Sequence, residues 1–317
     1  MVFITNNKCI KMPSEKKHIL VTGSNRSGTT WVGKMLCASN ELNYIYEPFS
    51  DDYNTLKVDT PVKHHFHYVT NNESQYFKRY IDCCLSPMNI SLIKEITANG
   101  IYSGIKKKIK QIIELPKFKN TFIIKDPLAL FSASWFYQTY NCHILVMIRH
   151  PAAYVDSIRR VGWRYDPRKY LEQYDLIKEY LSELKEEISS FNQTEKNLLE
   201  EATLRWKIYH HVIHIYMDRY PFTFIKHEEL AEDPINNFKI IYDKYNLTFN
   251  ESVVSEIQNS ITGEKNLGNK VHVLKRDLKN TINNWKKNLK QTEIDYIYSK
   301  TYKISSLFYG DDEWGGL

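Results

Sequence analysis

Gly23 and Gly28 bracket Ser24, Asn25, Arg26 and Ser27, with Thr29 and Thr30 directly behind, and this run has the makings of a phosphate cradle. Glycine lets the backbone turn its N–H groups toward one point, a helix starting near Thr29 adds free donors and the positive end of its dipole, and the hydroxyls of Ser27, Thr29 and Thr30 add more. The glycine spacing matches the nucleotide loop G-x-x-x-x-G-K-[ST], but Thr29 stands where the lysine belongs. Triphosphate enzymes use that lysine on the β- and γ-phosphates and the next hydroxyl on Mg²⁺; here the cation is Arg26, inside the loop. No strand ending in a metal-holding aspartate is evident. A Mg·ATP kinase is therefore disfavoured, although it and a nucleotide-binding protein without catalysis remain the alternatives.

A second anion site is written further along. The apolar run Ile144–Ile148 ends in Arg149, Pro151 suits the first turn of a helix, and that helix carries Ser157 eight residues after the arginine. Lys125 closes another apolar run, Phe122–Lys125, which places an ammonium at the carboxyl end of a strand, where ligands of open α/β sheets sit. Glu47 lies just past the run Asn43–Tyr46.

These motifs resemble the sulfotransferase superfamily. Arg26 to Trp31 looks like its 5′-phosphosulfate loop, [KR]-[ST]-G-[ST]-[ST], and Arg149, Pro151 and Ser157 look like its 3′-phosphate motif. The resemblance implies 3′-phosphoadenosine 5′-phosphosulfate (PAPS) as sulfuryl donor, 3′,5′-ADP as product, and no metal. It gives Arg26 the phosphosulfate bridge and leaving oxygen, Ser27, Gly28, Thr29 and Thr30 the 5′-phosphate, and Trp31 a place near or stacked on adenine. Lys125 matches the catalytic lysine. Pro127 stands where the cytosolic small-molecule enzymes carry a histidine base, whereas Tyr46-Glu47-Pro48 resembles a segment of carbohydrate sulfotransferases whose glutamate serves as base. Glu47 is thus the expected base and Asp126 the runner-up, and the acceptor leans toward the hydroxyl of a carbohydrate or other small molecule. A basic block near the carboxyl terminus offers Arg276, with Lys275 as its substitute, to complete the 3′-phosphate clamp. Phe224 to Pro234 resembles a structural strand-turn segment of the same enzymes.

Elements must position these groups. Short β-rich runs recur at His18–Thr22, Asn43–Tyr46, Phe122–Lys125, Ile144–Ile148 and Phe222–Ile225, each followed by a polar turn and a longer amphipathic stretch. That alternation predicts an α/β fold with a central parallel sheet flanked by helices, which the resemblance makes P-loop NTPase-like. Two segments dense in Tyr, Lys and Glu, about 51–119 and 162–220, are expected as helical insertions covering the acceptor side. Residues 1–17 are expected as a flexible N-terminal segment and 18–317 as one domain.

With 317 residues and 42% hydrophobic content, the chain can bury a large core, and a net charge of +6 suits an anionic ligand without demanding nucleic acid. Lys106, Lys107, Lys108 and Lys110 read as a solvated helix face. Five scattered cysteines, no signal-peptide pattern near Met1 and no apolar run approaching the ~20 residues of a membrane span point to a cytoplasmic protein. His64, His65 and His67 lack matching partners for a metal site. Trp163, Arg164 and Tyr165 are candidate acceptor contacts or packing groups. Oligomeric state is not legible.

Overall fold

The structure, a computed structural model, describes residues 17–50, 60–85, 121–192, 198–262 and 282–314. Five parallel strands form its sheet: β1 (Ile19–Gly23), β2 (Asn43–Tyr46), β3 (Phe122–Lys125), β4 (His143–Ile148) and β5 (Thr223–Lys226), in the spatial order β2-β3-β1-β4-β5. The strands fall where the apolar runs predict. β1 and β5 are displaced by one residue because pairing continues to their last positions, Gly23 opposite Met147 and Lys226 opposite Ile148.

Both faces of the sheet are covered, and the pleat sorts its side chains between two cores. Ile19, Val21, Ile123, Leu145, Met147 and Ile225 enter one core, together with Trp31 and Met35 of α1 (Thr29–Leu36). Phe238 and Ile241 of α7 (Pro234–Lys244) and Val253 and Ile257 of α8 (Glu251–Thr262) complete that layer. Leu20, Ile45, Phe122, Ile124, Ile144 and Val146 face the other way. That core is shared with α2 (Ser74–Leu85), α3 (Ala133–Tyr140), α4 (Pro151–Val161), α5 (Leu198–Arg219) and α9 (Gln291–Ser305). Between β5 and α7 lies the short α6 (His227–Glu232).

β1 is the pivot. The chain leaves it for β2 and β3 on one side and returns to β4 and β5 on the other, so the crevice at its carboxyl end is the topological switch point where open α/β sheets bind ligands. Of the two expected insertions, 162–220 is helical in its described parts, through short turns between Pro167 and Ser189 and then α5. The first contributes α2 and the irregular stretch before it; its remainder lies outside the described residues, as do residues 1–16, Cys9 and the lysine run at 106–110. Cys37, Cys83, Cys84 and Cys142 are free thiols, and no helix among the described residues is long and apolar enough to cross a membrane.

Phe131, fully buried, faces Phe66, Tyr170 and Tyr209 at ring separations of 5.6, 5.6 and 6.0 Å. It joins the two insertions to the sheet through ring contacts. Phe131→Ala is therefore expected to lower stability by about 3–5 kcal/mol in a denaturant titration; a loss below about 1 kcal/mol would show that this layer repacks freely.

Candidate active site

The turn after β1 is built by three residues in the left-handed half of backbone space. Gly23 (φ 143°), Arg26 (φ 66°) and Gly28 (φ 94°) curl the chain back onto itself, and both the N–H and the hydroxyl of Ser27 donate to the Ser24 carbonyl, at 3.3 and 2.6 Å. Ser27 thereby closes the turn, while Thr29 and Thr30 open α1. At Gly28 a side chain is excluded by space as well as by conformation: a β-carbon would lie 2.5 Å from Nδ1 of His227, the first residue after β5.

On the β4 side, the second predicted anion site meets this turn. Arg26 Nε donates to the buried Ser157 hydroxyl on α4 at 3.1 Å, and Arg149, at the end of β4, donates from Nη1 to the Arg26 carbonyl. Arg149 Nε is buried with no hydrogen-bond partner among the described residues. Burial pushes the Arg149 pKa down to about 10; Glu228 opposes that shift, and Arg26 and Arg160 add to it. Two guanidinium groups brought together with a donor left over make a site short of negative charge, which an anion would complete.

Glu228, on α6, is the group that sequence reasoning missed here. Its Oε1 accepts from the His150 N–H at 3.0 Å and its Oε2 from the Tyr309 hydroxyl at 3.0 Å, so it holds the first residue beyond Arg149 and its charge opposes that of Arg149. Burial raises its pKa. His150 is buried between Trp285, Tyr309 and Trp314, at ring distances of 4.8, 4.9 and 4.4 Å. The described carboxyl-terminal residues therefore close over the Arg149 turn. The visible signal was the run Phe224 to Pro234, but nothing local marks Glu228 as the partner of a residue 78 positions away. His227, whose Nδ1 is buried and without a partner among the described residues, was missed for the same reason.

On the β3 side stand the predicted chemical groups. Lys125, 2% exposed, pairs with Glu47 and lies 4.3 Å from the centre of the Tyr46 ring. Burial lowers its pKa, with Glu47 and Asp126 working against that shift. Parallel pairing of β2 and β3 sets Tyr46 opposite Lys125, and the Glu47 N–H donates to the Lys125 carbonyl at 2.9 Å. Asp126 is fully buried, its Oδ2 accepting from the Phe49 N–H at 2.6 Å and its Oδ1 from the Leu128 N–H at 2.9 Å. Both oxygens of this buried carboxylate are thus occupied by backbone donors.

Trp31 is 5% exposed: its Nε1 donates to Ser260 at 2.9 Å, and its ring stands edge-on to Phe238 at 5.3 Å. It packs between α1, α7 and α8; the resemblance implied a place near or stacked on adenine. Lys275 and Arg276 lie outside the described residues. Trp163 is 48% exposed with the Arg26 guanidinium 5.6 Å from its ring centre; Arg164 pairs with Glu201, and Tyr165 packs on His65. His64 approaches Glu172 and His67 approaches Glu73, and among the described residues no group of three or more metal-ligating side chains occurs.

Gly28→Ala is expected to disturb the cradle and spare the sheet. A side chain at φ 94° is strained, and its β-carbon must displace His227, so anion binding should fall by at least about ten-fold while the circular dichroism spectrum keeps its parent shape. Unchanged affinity for a phosphorylated adenosine would remove this turn from the site.

A family model described as the sulfotransferase family matches residues 18–251. Among solved structures, the sulfotransferase domain from the curacin biosynthetic pathway shares 14% identity, covering 90% of this chain and 97% of that one, with a TM-score of 0.49. The sulfotransferase domain from the Synechococcus PCC 7002 olefin synthase shares 13%, covering 96% and 99%, with a TM-score of 0.48. A sulfotransferase from Mycobacterium avium shares 12%, covering 94% and 78%, with a TM-score of 0.44. No curated protein matches the chain. The family match takes in the cradle, both strand-end cations, Glu47, Ser157 and the β5–α6 junction in one continuous span, and the chain belongs to the sulfotransferase family.

Proposed function

We propose that the protein moves a sulfuryl group from PAPS to an acceptor hydroxyl, that of a carbohydrate or another small molecule. The observation that carries this reading is the meeting of Arg26 with Ser157 and Arg149, which puts a second cationic grip beside the first at the switch point of the sheet. A donor with a 5′-phosphosulfate and a 3′-phosphate has an anion for each. The residues fit such a molecule: a glycine cradle that a β-carbon would fill, and a buried Arg149 Nε without a partner among the described residues. In this reading the Arg26–Thr30 turn holds the 5′ end, and Arg149 with Ser157 holds the 3′ end. Arg276 and Lys275 extend the 3′ grip by resemblance alone.

Sulfuryl transfer asks for in-line placement, cations near the leaving oxygen and a proton acceptor for the attacking hydroxyl. The acceptor oxygen forms a bond to sulfur as the bond from sulfur to the bridging oxygen breaks, and the hydroxyl proton passes to the Glu47 carboxylate. Lys125, with its pKa lowered by burial, is a better proton donor toward the leaving oxygen than an ordinary lysine; Arg26 neutralises charge there without giving up a proton. Glu47 takes the base role ahead of Asp126, both of whose oxygens accept backbone N–H groups.

Binding and discrimination test this. The protein should be heat-stabilised by 3′,5′-ADP, by about 2.7 kcal/mol at a hundred times its dissociation constant. Arg149→Ala should erase at least about ten-fold of the preference for 3′,5′-ADP over 5′-AMP, because a charged hydrogen bond to the 3′-phosphate is lost. A larger shift with Mg·ATP than with 3′,5′-ADP would transfer the site to a kinase, and retained 3′,5′-ADP binding without ³⁵S transfer to any of a broad acceptor panel would make it a binding protein.

A further inference from the structure

Glu47 sits at φ 43°, left-handed backbone that a residue with a β-carbon adopts only when its surroundings impose it. Here the surroundings reach three consecutive residues beyond it. The Glu47 N–H donates to the Lys125 carbonyl at 2.9 Å, the Ser50 N–H closes on the Glu47 carbonyl at 3.1 Å, and the Phe49 N–H is held by Asp126 Oδ2 at 2.6 Å. From the other side the buried Tyr80 hydroxyl, on α2, donates to the Pro48 carbonyl at 2.8 Å. The Phe49 ring, 2% exposed, is set between Phe77 and Phe136 at 5.5 and 5.7 Å.

We propose that Asp126 and Tyr80 are positioning residues for Glu47: together they fix the 47–50 turn so that its carboxylate remains on Lys125. The proposal rests on Glu47 as the proton acceptor. Lys125, the last residue of β3, and Asp126, the next, are zipped to neighbouring parts of the turn, Lys125 to Glu47 and Asp126 to Phe49, so one short strand end sets both the charge partner and the backbone anchor. Because Asp126 Oδ1 also caps the 3₁₀ turn Pro127–Ser132 through Leu128, the carboxylate locks two segments that leave adjacent strands. Tyr80 makes the first insertion part of the catalytic support, a function separate from covering an acceptor.

A pH dependence follows. Burial pushes the Asp126 pKa up to about 7; Phe49 and Leu128 N–H groups and Lys125 oppose that shift and Glu47 reinforces it. From α2, Tyr80 and Cys84 also face this carboxyl, and burial raises both of their pKa values, so neither takes a charge near neutrality. Below pH 7 Asp126 gains a proton and its charge-assisted bonds weaken; above pH 7 the turn is held firmly.

The test compares parent protein, Asp126→Asn, Tyr80→Phe and Glu47→Gln in three measurements: amide hydrogen exchange at Phe49 by NMR, 3′,5′-ADP affinity, and release of ³⁵S-sulfate from labelled PAPS to water as a function of pH. In Asp126→Asn an amide N–H₂ group cannot accept from both backbone donors, so Phe49 protection and turnover should each fall by about ten-fold or more, with 3′,5′-ADP affinity within about two-fold of parent. The acid limb of turnover near pH 7 should disappear in Asp126→Asn and persist in Tyr80→Phe, a contrast that a general loss of stability does not produce. Parental Phe49 protection and an unaltered acid limb in Asp126→Asn overturn the positioning role. Should that variant fail to fold, unchanged Phe49 protection and turnover in Tyr80→Phe overturn it equally. Parental turnover in Glu47→Gln instead overturns the proton-acceptor reading and with it the catalytic half of the proposal, whatever Phe49 shows.

Discussion

A guanidinium at the end of β4 donates to the backbone of the turn that ends β1, and the β4 flank of the site depends on that contact between Arg149 and Arg26. β1 and β4 pair directly, Gly23 opposite Met147, so the two ends are neighbours by sheet register before any side chain acts. Two cations held side by side repel each other. The surrounding residues answer with Glu228 and Asp156 nearby and with a buried guanidinium nitrogen left without a partner among the described residues. A cationic cluster of this kind is one that a bound anion would relieve.

Opposite it, across β1, the register of β2 with β3 brings Tyr46 beside Lys125 and delivers Glu47 to the same ammonium. The charge logic differs on the two flanks. Arginines stand on the β4 side, whereas the β3 side carries a buried lysine, its pKa lowered by burial, paired with a carboxylate. A single parallel sheet thus sets the two groups of charges on opposite flanks of β1 by strand order alone.

Layers outside the sheet supply rigidity. Trp285, Tyr309 and Trp314 enclose His150, Tyr309 also binds Glu228, and Glu201 on α5 accepts the Tyr165 N–H at 2.6 Å beyond the end of α4. Arg205, 1% exposed, donates to the Trp163 carbonyl at 3.3 Å and so fixes the backbone of the exposed indole that lies against Arg26. The segments that follow β4 are thus tied to α5 and to the carboxyl-terminal aromatic residues.

The sequence by itself determined the strands, the cradle and the strand-end charges, because these are local: apolar runs of strand length, glycines at a turn, an arginine and a lysine at the ends of apolar runs. Arg149 and Ser157 could be paired with the loop through the resemblance that both motifs carry. Tertiary structure decided what those groups lean on. Glu228 meets Tyr309 across 81 positions, Tyr80 meets Pro48 across 32, and Asp126 meets Phe49 across 77. The same packing decided that Trp31 is covered by α7 and α8 and that Asp126 faces inward as an anchor. Hydrogen bonds between segments far apart in the chain leave no period and no spacing to read, since their partners are chosen by which surfaces the folded layers bring together.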